Sequence, residues 1–177
     1  MNWANRLTVL RILLVPVFVI SVLYHRLDLA FVFFILAAVT DAMDGYIART
    51  FDQKTALGAM IDPIADKLLI LSAFVSLSIV SGLPEYLRMP IYVPVIIISR
   101  DVIILLGAGI IYLNSGVVAI KPTVIGKITT FFQMLTIILV LLKFVYASWV
   151  WNMAVLLTVA SGLDYIKLGA RQVNGRQ

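Results

Sequence analysis

The chain has 177 residues, room for a single domain over 1–177, and 62% of them are hydrophobic. A mean hydropathy of +1.06 is more than a soluble interior of this size hides, which excludes a soluble globular fold and points to an integral membrane protein. The absence of cysteine excludes disulfides and thiolate metal sites, and a net charge of +5 scattered between apolar runs suits anionic lipid headgroups, not nucleic acid.

Six apolar segments of spanning length are predicted, at about 7–24, 28–49, 56–82, 90–113, 124–146 and 148–166. Backbone groups in lipid are satisfied within a helix, and the runs lack the period-two alternation of a barrel strand. The expected fold class is therefore all-α, a polytopic membrane protein with six transmembrane helices. Residues 2–6 read as an interfacial lead-in with Trp3 at headgroup depth. The first run is long, leads into further spans and lacks a small-residue cleavage site, so it reads as a retained helix instead of a signal peptide. His25, the sole histidine, falls at the outer interface and is given no role.

The second segment ends in DAMDGYIAR, residues 41–49, and the third opens with ALGAMIDPIADK, where Pro63 is expected to kink the helix. The fourth carries Arg100 and Asp101 in the run ISRD. An arginine inside an apolar helix needs a partner, either a carboxylate or a ligand phosphate. Lys121 and Lys127, in KPTVIGK, stand at the start of the fifth helix, and Arg171 follows the sixth. Helix ends that converge on one cavity would make these four cations a basic pocket for an acceptor phosphate.

Charge placement sets the topology. The N-terminus, the second and fourth loops and the C-terminus carry Arg6, Arg11, Arg49, Lys54, Lys121, Lys127, Lys167, Arg171 and Arg176; the other side carries Arg26, Arg88 and Lys143. The positive-inside rule puts both termini, and the DAMDGYIAR end, on the cytoplasmic side. Trp149 and Trp151 are expected in the outer aromatic belt.

On a helix, positions three and four apart share a face. Asp41 and Asp44 then lie together with Gly45 and Ala48 beside them, and Gly58, Asp62 and Asp66 form a second stripe. The short polar loop is expected to fold the third helix back so that the stripes face each other. Each aspartate at a helix centre costs about 2.5–3.5 kcal/mol on insertion scales, and four close carboxylates repel. A divalent cation removes the conflict, and all-oxygen donors favour Mg2+ or Mn2+. Four carboxylates suffice for two such ions, an arrangement used in displacement at phosphorus. Small residues at this spacing also serve plain helix packing, but Gly45, Ala48, Gly58 and Ala59 leave room for a ligand against the backbone, and Arg49 is placed to meet a phosphate.

Residues 41–66 read D-AM-D-G-YI-A-R-TFDQKTAL-G-AMI-D-PIA-D. This resembles the D-x2-D-G-x2-A-R-x8-G-x3-D-x3-D signature of the CDP-alcohol phosphatidyltransferase family at every fixed position and gap. NRLTVLRILLVP, DPIADKLL and SGLDYIKLG also resemble its glycerophospholipid branch, although Ala4 stands where many members have proline. The resemblance implies a six-helix homodimer in the membrane, with a cavity open to the cytoplasmic side. It implies transfer of a phosphatidyl group from CDP-diacylglycerol to an acceptor alcohol, with release of CMP. Asp41, Asp44 and Asp62 would then be metal ligands; Asp66 would be the general base and touch the second metal. Gly45, Ala48, Arg49 and Gly58 would contact the cytidine diphosphate, with Asn5 and Thr8 bordering the same pocket. The setting implied is a bacterial inner (plasma) membrane.

The acceptor is narrowed to two. Glycerol 3-phosphate would make a phosphatidylglycerophosphate synthase; phosphatidylglycerol would make a cardiolipin synthase. Many members of the first group carry RE followed by GLR in the fourth helix, whereas this chain has RD followed by VIILLGAG, closer to the CDP-dependent cardiolipin synthases. Glycerol 3-phosphate is kept as the expected acceptor, being the commonest among relatives of this size. A membrane metal-ion carrier is the alternative of another class, but it calls for polar residues reaching both sides of the membrane.

Overall fold

The computed structural model describes the backbone of residues 3–50, 56–115 and 123–174, and the side chains of 9–40, 67–107, 109 and 123–168. Among the described residues the fold is all-helical, with α1 Trp3–Leu23, α2 Leu27–Thr50, α3 Ala56–Ile79, α4 Tyr92–Ser115, α5 Val124–Leu141 and α6 Ala147–Asn174. One 3₁₀ turn, Glu85–Leu87, lies between α3 and α4. Three described segments are long and apolar enough to cross a membrane: Glu85–Gly107, Val124–Leu141 and Ala147–Leu168. The described parts of α1, α2 and α3 add shorter apolar stretches, Val9–Leu23, Leu27–Thr40 and Lys67–Ile79.

Each helix buries one stripe and leaves apolar residues on its outside. On α2 the buried positions are Leu27, Ala30, Phe34 and Ala37; on α6 they are Ala147, Trp151, Ala154, Thr158 and Ser161. These intervals of three and four are the helical period. Leu13, Val32, Ile79, Leu105, Phe131 and Leu156 stay exposed, one on each helix from α1 to α6. Helices apolar on both faces suit a lipid surround. Trp149 is exposed as expected of a belt residue, but Trp151 is 4% exposed and belongs to the core. Arg11, assigned from sequence to the cytoplasmic charges, is fully buried on α1.

α1 packs along both α2 and α3, whereas α2 and α3 meet each other only sparsely among the described residues. Phe18 of α1 and Phe34 of α2 stack at 5.9 Å between ring centroids. The small Ala30, Ala37 and Ala73, all fully buried, allow close approach of the helices around them. α5 pairs with α6 through polar contacts: Thr129 donates to the Leu157 carbonyl at 3.1 Å, and Gln133 donates to the Thr158 hydroxyl at 3.2 Å.

Two helices stop in the same way. At the end of α1, Arg26 N–H donates to the Ser21 carbonyl and His25 N–H to that of Val22; at the end of α5, Phe144 N–H donates to Leu139 and Lys143 N–H to Val140. These are Schellman caps with His25 and Lys143 in the left-handed position, both at φ 59°. The second cap explains why α5 ends at Leu141, short of the predicted 146. Both residues line a cavity of about 290 Å³ with Leu27, Gly82, Leu83, Pro84 and Leu87. Gly82 has φ +87°, and a Cβ there would lie 3.3 Å from the His25 ring. Lys143 also pairs with Asp28 at 3.1 Å.

Candidate active site

Contacts between described side chains fix which helix ends share a side. The cavity at His25, Gly82 and Lys143 gathers the end of α1, the start of α2, the segment after α3 and the end of α5. Thr123 bonds Tyr165 while Gln133 bonds Thr158, so α5 and α6 run antiparallel; Tyr92 bonds Asn152 while Arg100 bonds Ser161, so α4 and α6 run parallel. The opposite side of the bundle therefore collects the start of α1, the end of α2, the start of α3, the end of α4, the start of α5 and the end of α6.

Every sequence-predicted site residue with a described backbone lies on a helix leading to that side. Asn5 and Thr8 lie in the opening turns of α1; Asp41, Asp44, Gly45, Ala48 and Arg49 lie in the closing turns of α2; Gly58, Asp62 and Asp66 lie in the opening turns of α3. The side chains of these ten residues lie outside the described residues. Lys121 lies outside them altogether, and Arg171 is placed on α6 by its backbone alone. Lys127 is exposed on the first turn of α5, and Arg100 is buried on α4.

Arg100 sits in a polar corner built by four helices. Its Nη1 donates to Asp101 Oδ1 at 2.7 Å, and its Nη2 donates to the Ser161 hydroxyl of α6 at 2.8 Å. The guanidinium lies 5.4 Å from the centre of the Tyr165 ring. Its Nε is buried without a hydrogen-bond partner. Asp101 Oδ2 accepts from the Lys67 ammonium of α3, also at 2.7 Å. The sequence-level need for an Arg100 partner is thus met by a carboxylate, that of the next residue.

Two glycines make space for this corner. A Cβ on Gly126 of α5 would lie 3.2 Å from the Tyr165 hydroxyl and 3.3 Å from Arg100 Nη2, and one on Gly162 would lie 3.6 Å from Arg100 Cγ. Thr123 caps α5, its hydroxyl accepting from Gly126 N–H at 3.0 Å, and its own N–H donates to the Tyr165 hydroxyl at 3.2 Å. Sequence reasoning missed Lys67, Ser161 and Tyr165. The available signals were a lysine directly after Asp66 and hydroxyl residues inside SGLDY, but nothing local joins them to ISRD.

The donor set that the sequence proposes has the chemistry for a hard divalent cation. It consists of four carboxylates, spaced by three and four residues on α2 and α3, in a chain without cysteine. Among the described residues no three metal-ligating side chains converge, and the side chains of the four aspartates lie outside them.

Comparison with known proteins bears on what this arrangement does. The sequence pattern of the CDP-alcohol phosphatidyltransferases matches residues 1–160. The chain is 36% identical, over 98% of its length and 84% of the relative's, to a probable phosphatidylglycerophosphate synthase of Mycobacterium tuberculosis H37Rv. It is 30% identical to the CDP-diacylglycerol–glycerol-3-phosphate 3-phosphatidyltransferase of Bacillus subtilis, with 93% of each chain covered. It is also 30% identical to the human cardiolipin synthase (CMP-forming), over 96% of its own length and 62% of that protein.

Proposed function

Because the chain belongs to the CDP-alcohol phosphatidyltransferase family, we propose that it transfers the phosphatidyl group of CDP-diacylglycerol to a hydroxyl of glycerol 3-phosphate, releasing CMP. Family membership sets aside the ion-carrier alternative. The observation that carries the acceptor is the end-to-end correspondence with relatives named for glycerol 3-phosphate, one of them covered over 93% of its length. Phosphatidylglycerol as acceptor is the second reading, favoured by the RDVIILLGAG run of α4 and by the human cardiolipin synthase.

In this reading Asp41, Asp44, Asp62 and Asp66 would hold two divalent ions, Mg2+ or Mn2+. Bound there, such ions supply charge neutralisation of the diphosphate oxygens. Gly45, Ala48 and Gly58, small enough to let a nucleotide approach the backbone, border the cytidine diphosphate together with Arg49, Asn5 and Thr8. Asp66 takes the proton from the acceptor hydroxyl as its oxygen bonds to the lipid-bearing phosphorus. The phosphorus–oxygen bond to CMP breaks, and CMP leaves with the electron pair. Lys121, Lys127 and Arg171 meet the acceptor phosphate, with Arg100 Nε as the one nitrogen of its guanidinium without a partner.

The reading extends to setting. All six helices cross a bacterial inner membrane, both termini and the acidic end face the cytoplasm, the cavity opens on that side, and the chain works as a homodimer. The cations at that end support this orientation. The test is CMP release by the purified full chain with CDP-diacylglycerol and Mg2+, supplied with glycerol 3-phosphate or phosphatidylglycerol. Release with glycerol 3-phosphate is expected. Release with phosphatidylglycerol alone would move the chain to the second reading, and release with neither would remove both.

A further inference from the structure

We propose that Asp101 is a positioning residue for the transfer, acting through Lys67. The inference rests on the phosphatidyltransferase reading and adds a residue outside the D-x2-D signature to the working parts of the site.

Asp101 is 6% exposed on α4, and each of its two oxygens is committed to a different cation at 2.7 Å. One is Arg100 of its own helix. The other is Lys67 of α3, the residue directly after Asp66. A buried carboxylate held by two cations has a fixed place, and it fixes theirs. α3 packs on α4 less extensively than α1 packs on α2, and this ion pair ties the two helices directly. The same guanidinium is held by Ser161 and lies beside Tyr165, whose hydroxyl accepts from Thr123. A single connected set of contacts thus runs from the residue beside the candidate base to the starts and ends of the helices that carry the candidate acceptor cations.

Lys67 has a second reason to be held. An uncommitted ammonium one residue from Asp66 is attracted to the carboxylates of the acidic end, where it competes with the cation they are to hold. Asp101 draws it onto α4. Releasing it disturbs the placement of Asp66 and of Arg100 together, which lowers the rate of the chemical step more than the affinity for the nucleotide lipid.

Asp101→Asn, Lys67→Met, Lys67→Arg and the double variant Lys67→Met/Asp101→Asn are compared with the unmodified full chain by CMP release at varied CDP-diacylglycerol, with thermal unfolding followed in parallel. Asp101→Asn and Lys67→Met each lower kcat about tenfold with KM for CDP-diacylglycerol within about twofold, the scale of a misplaced reacting group. Lys67→Arg keeps most of the activity. The double variant is no slower than the worse single one, because both substitutions remove one interaction. Wild-type kcat in Asp101→Asn or in Lys67→Met, or losses that multiply in the double variant, would overturn the proposal. Should Asp101→Asn fail to fold, the two Lys67 variants decide the matter from the other side of the pair. Failure of the unmodified chain to release CMP with any acceptor would instead remove the transferase reading, and this inference with it.

Discussion

Arg100 of α4 reaches the Ser161 hydroxyl of α6 at 2.8 Å, and both are buried. The contact makes the guanidinium a tie between two helices as well as a charge. Arg100→Met removes that tie and leaves Asp101 with Lys67 as its one partner. Breaking a buried ion pair in this way costs about 3 kcal/mol, so a clear drop in thermal midpoint in detergent is expected, together with loss of transfer. Arg100→Lys keeps the charge but not the two-pronged geometry and should fall between. A midpoint unchanged in Arg100→Met would show that the corner contributes no stability.

Gly126 is the tightest point of the same corner. In Gly126→Ala the new Cβ meets the Thr123 and Tyr165 hydroxyls, both at 3.2 Å, and Arg100 Nη2 at 3.3 Å. Each needs to shift by only a few tenths of an ångström, but the Thr123 cap and Arg100 are held by hydrogen bonds, so a cost of about 1 kcal/mol is expected. Gly126→Leu has no such escape and should cost about 1–3 kcal/mol, with activity falling as Arg100 is displaced. Equal melting of the Ala and Leu variants would contradict this ordering.

At the acidic end, Asp66→Asn is expected to leave the fold intact and abolish transfer, because amide and carboxylic acid are close in size but the amide accepts no proton. Near-normal CMP release by the purified variant would take Asp66 out of the base role. Asp44→Asn should instead raise the divalent metal concentration needed for half-maximal activity and weaken nucleotide binding, which a metal titration reads.

Gln133 offers a contrasting case. Its amide nitrogen donates to Thr158, but its carbonyl oxygen is buried without a hydrogen bond. An apolar replacement of similar length removes an unsatisfied acceptor along with one modest bond. Gln133→Met should therefore be neutral or stabilising by up to about 1 kcal/mol, with transfer unchanged. A loss of several degrees on heating would count against it.

Lys143 holds a left-handed backbone that glycine adopts freely, and its ion pair with Asp28 is exposed on both sides. An exposed pair contributes little, about 0–1 kcal/mol, while relief of the left-handed strain is worth about 1–2 kcal/mol. Lys143→Gly is expected to match or exceed the unmodified chain in thermal midpoint.

Much of this architecture is legible in the amino-acid order. Hydropathy alone locates all six helices, since a long apolar run without period-two alternation satisfies its backbone as a helix, and three of the described segments reach spanning length. The ends are less legible. α5 stops early because Lys143 turns left-handed, which no residue preference announces, and α6 runs on to Asn174, past the predicted 166, because its last turns are polar but still helical. The aspartate register is visible because its members lie close in sequence. The contacts of Lys67 with Asp101 and of Arg100 with Ser161 span 34 and 61 residues. Such pairs depend on how whole helices dock, and Asp101 looks from sequence like an ordinary neighbour of Arg100.

The position of α1 carries one more consequence. Because α1 lies against both α2 and α3 while, among the described residues, these two meet only sparsely, α1 is the spacer between them. The bulk of Phe18, set against Phe34 of α2, acts as a shim on one side of it. Resizing it resets the spacing of two helices without altering a single charged group.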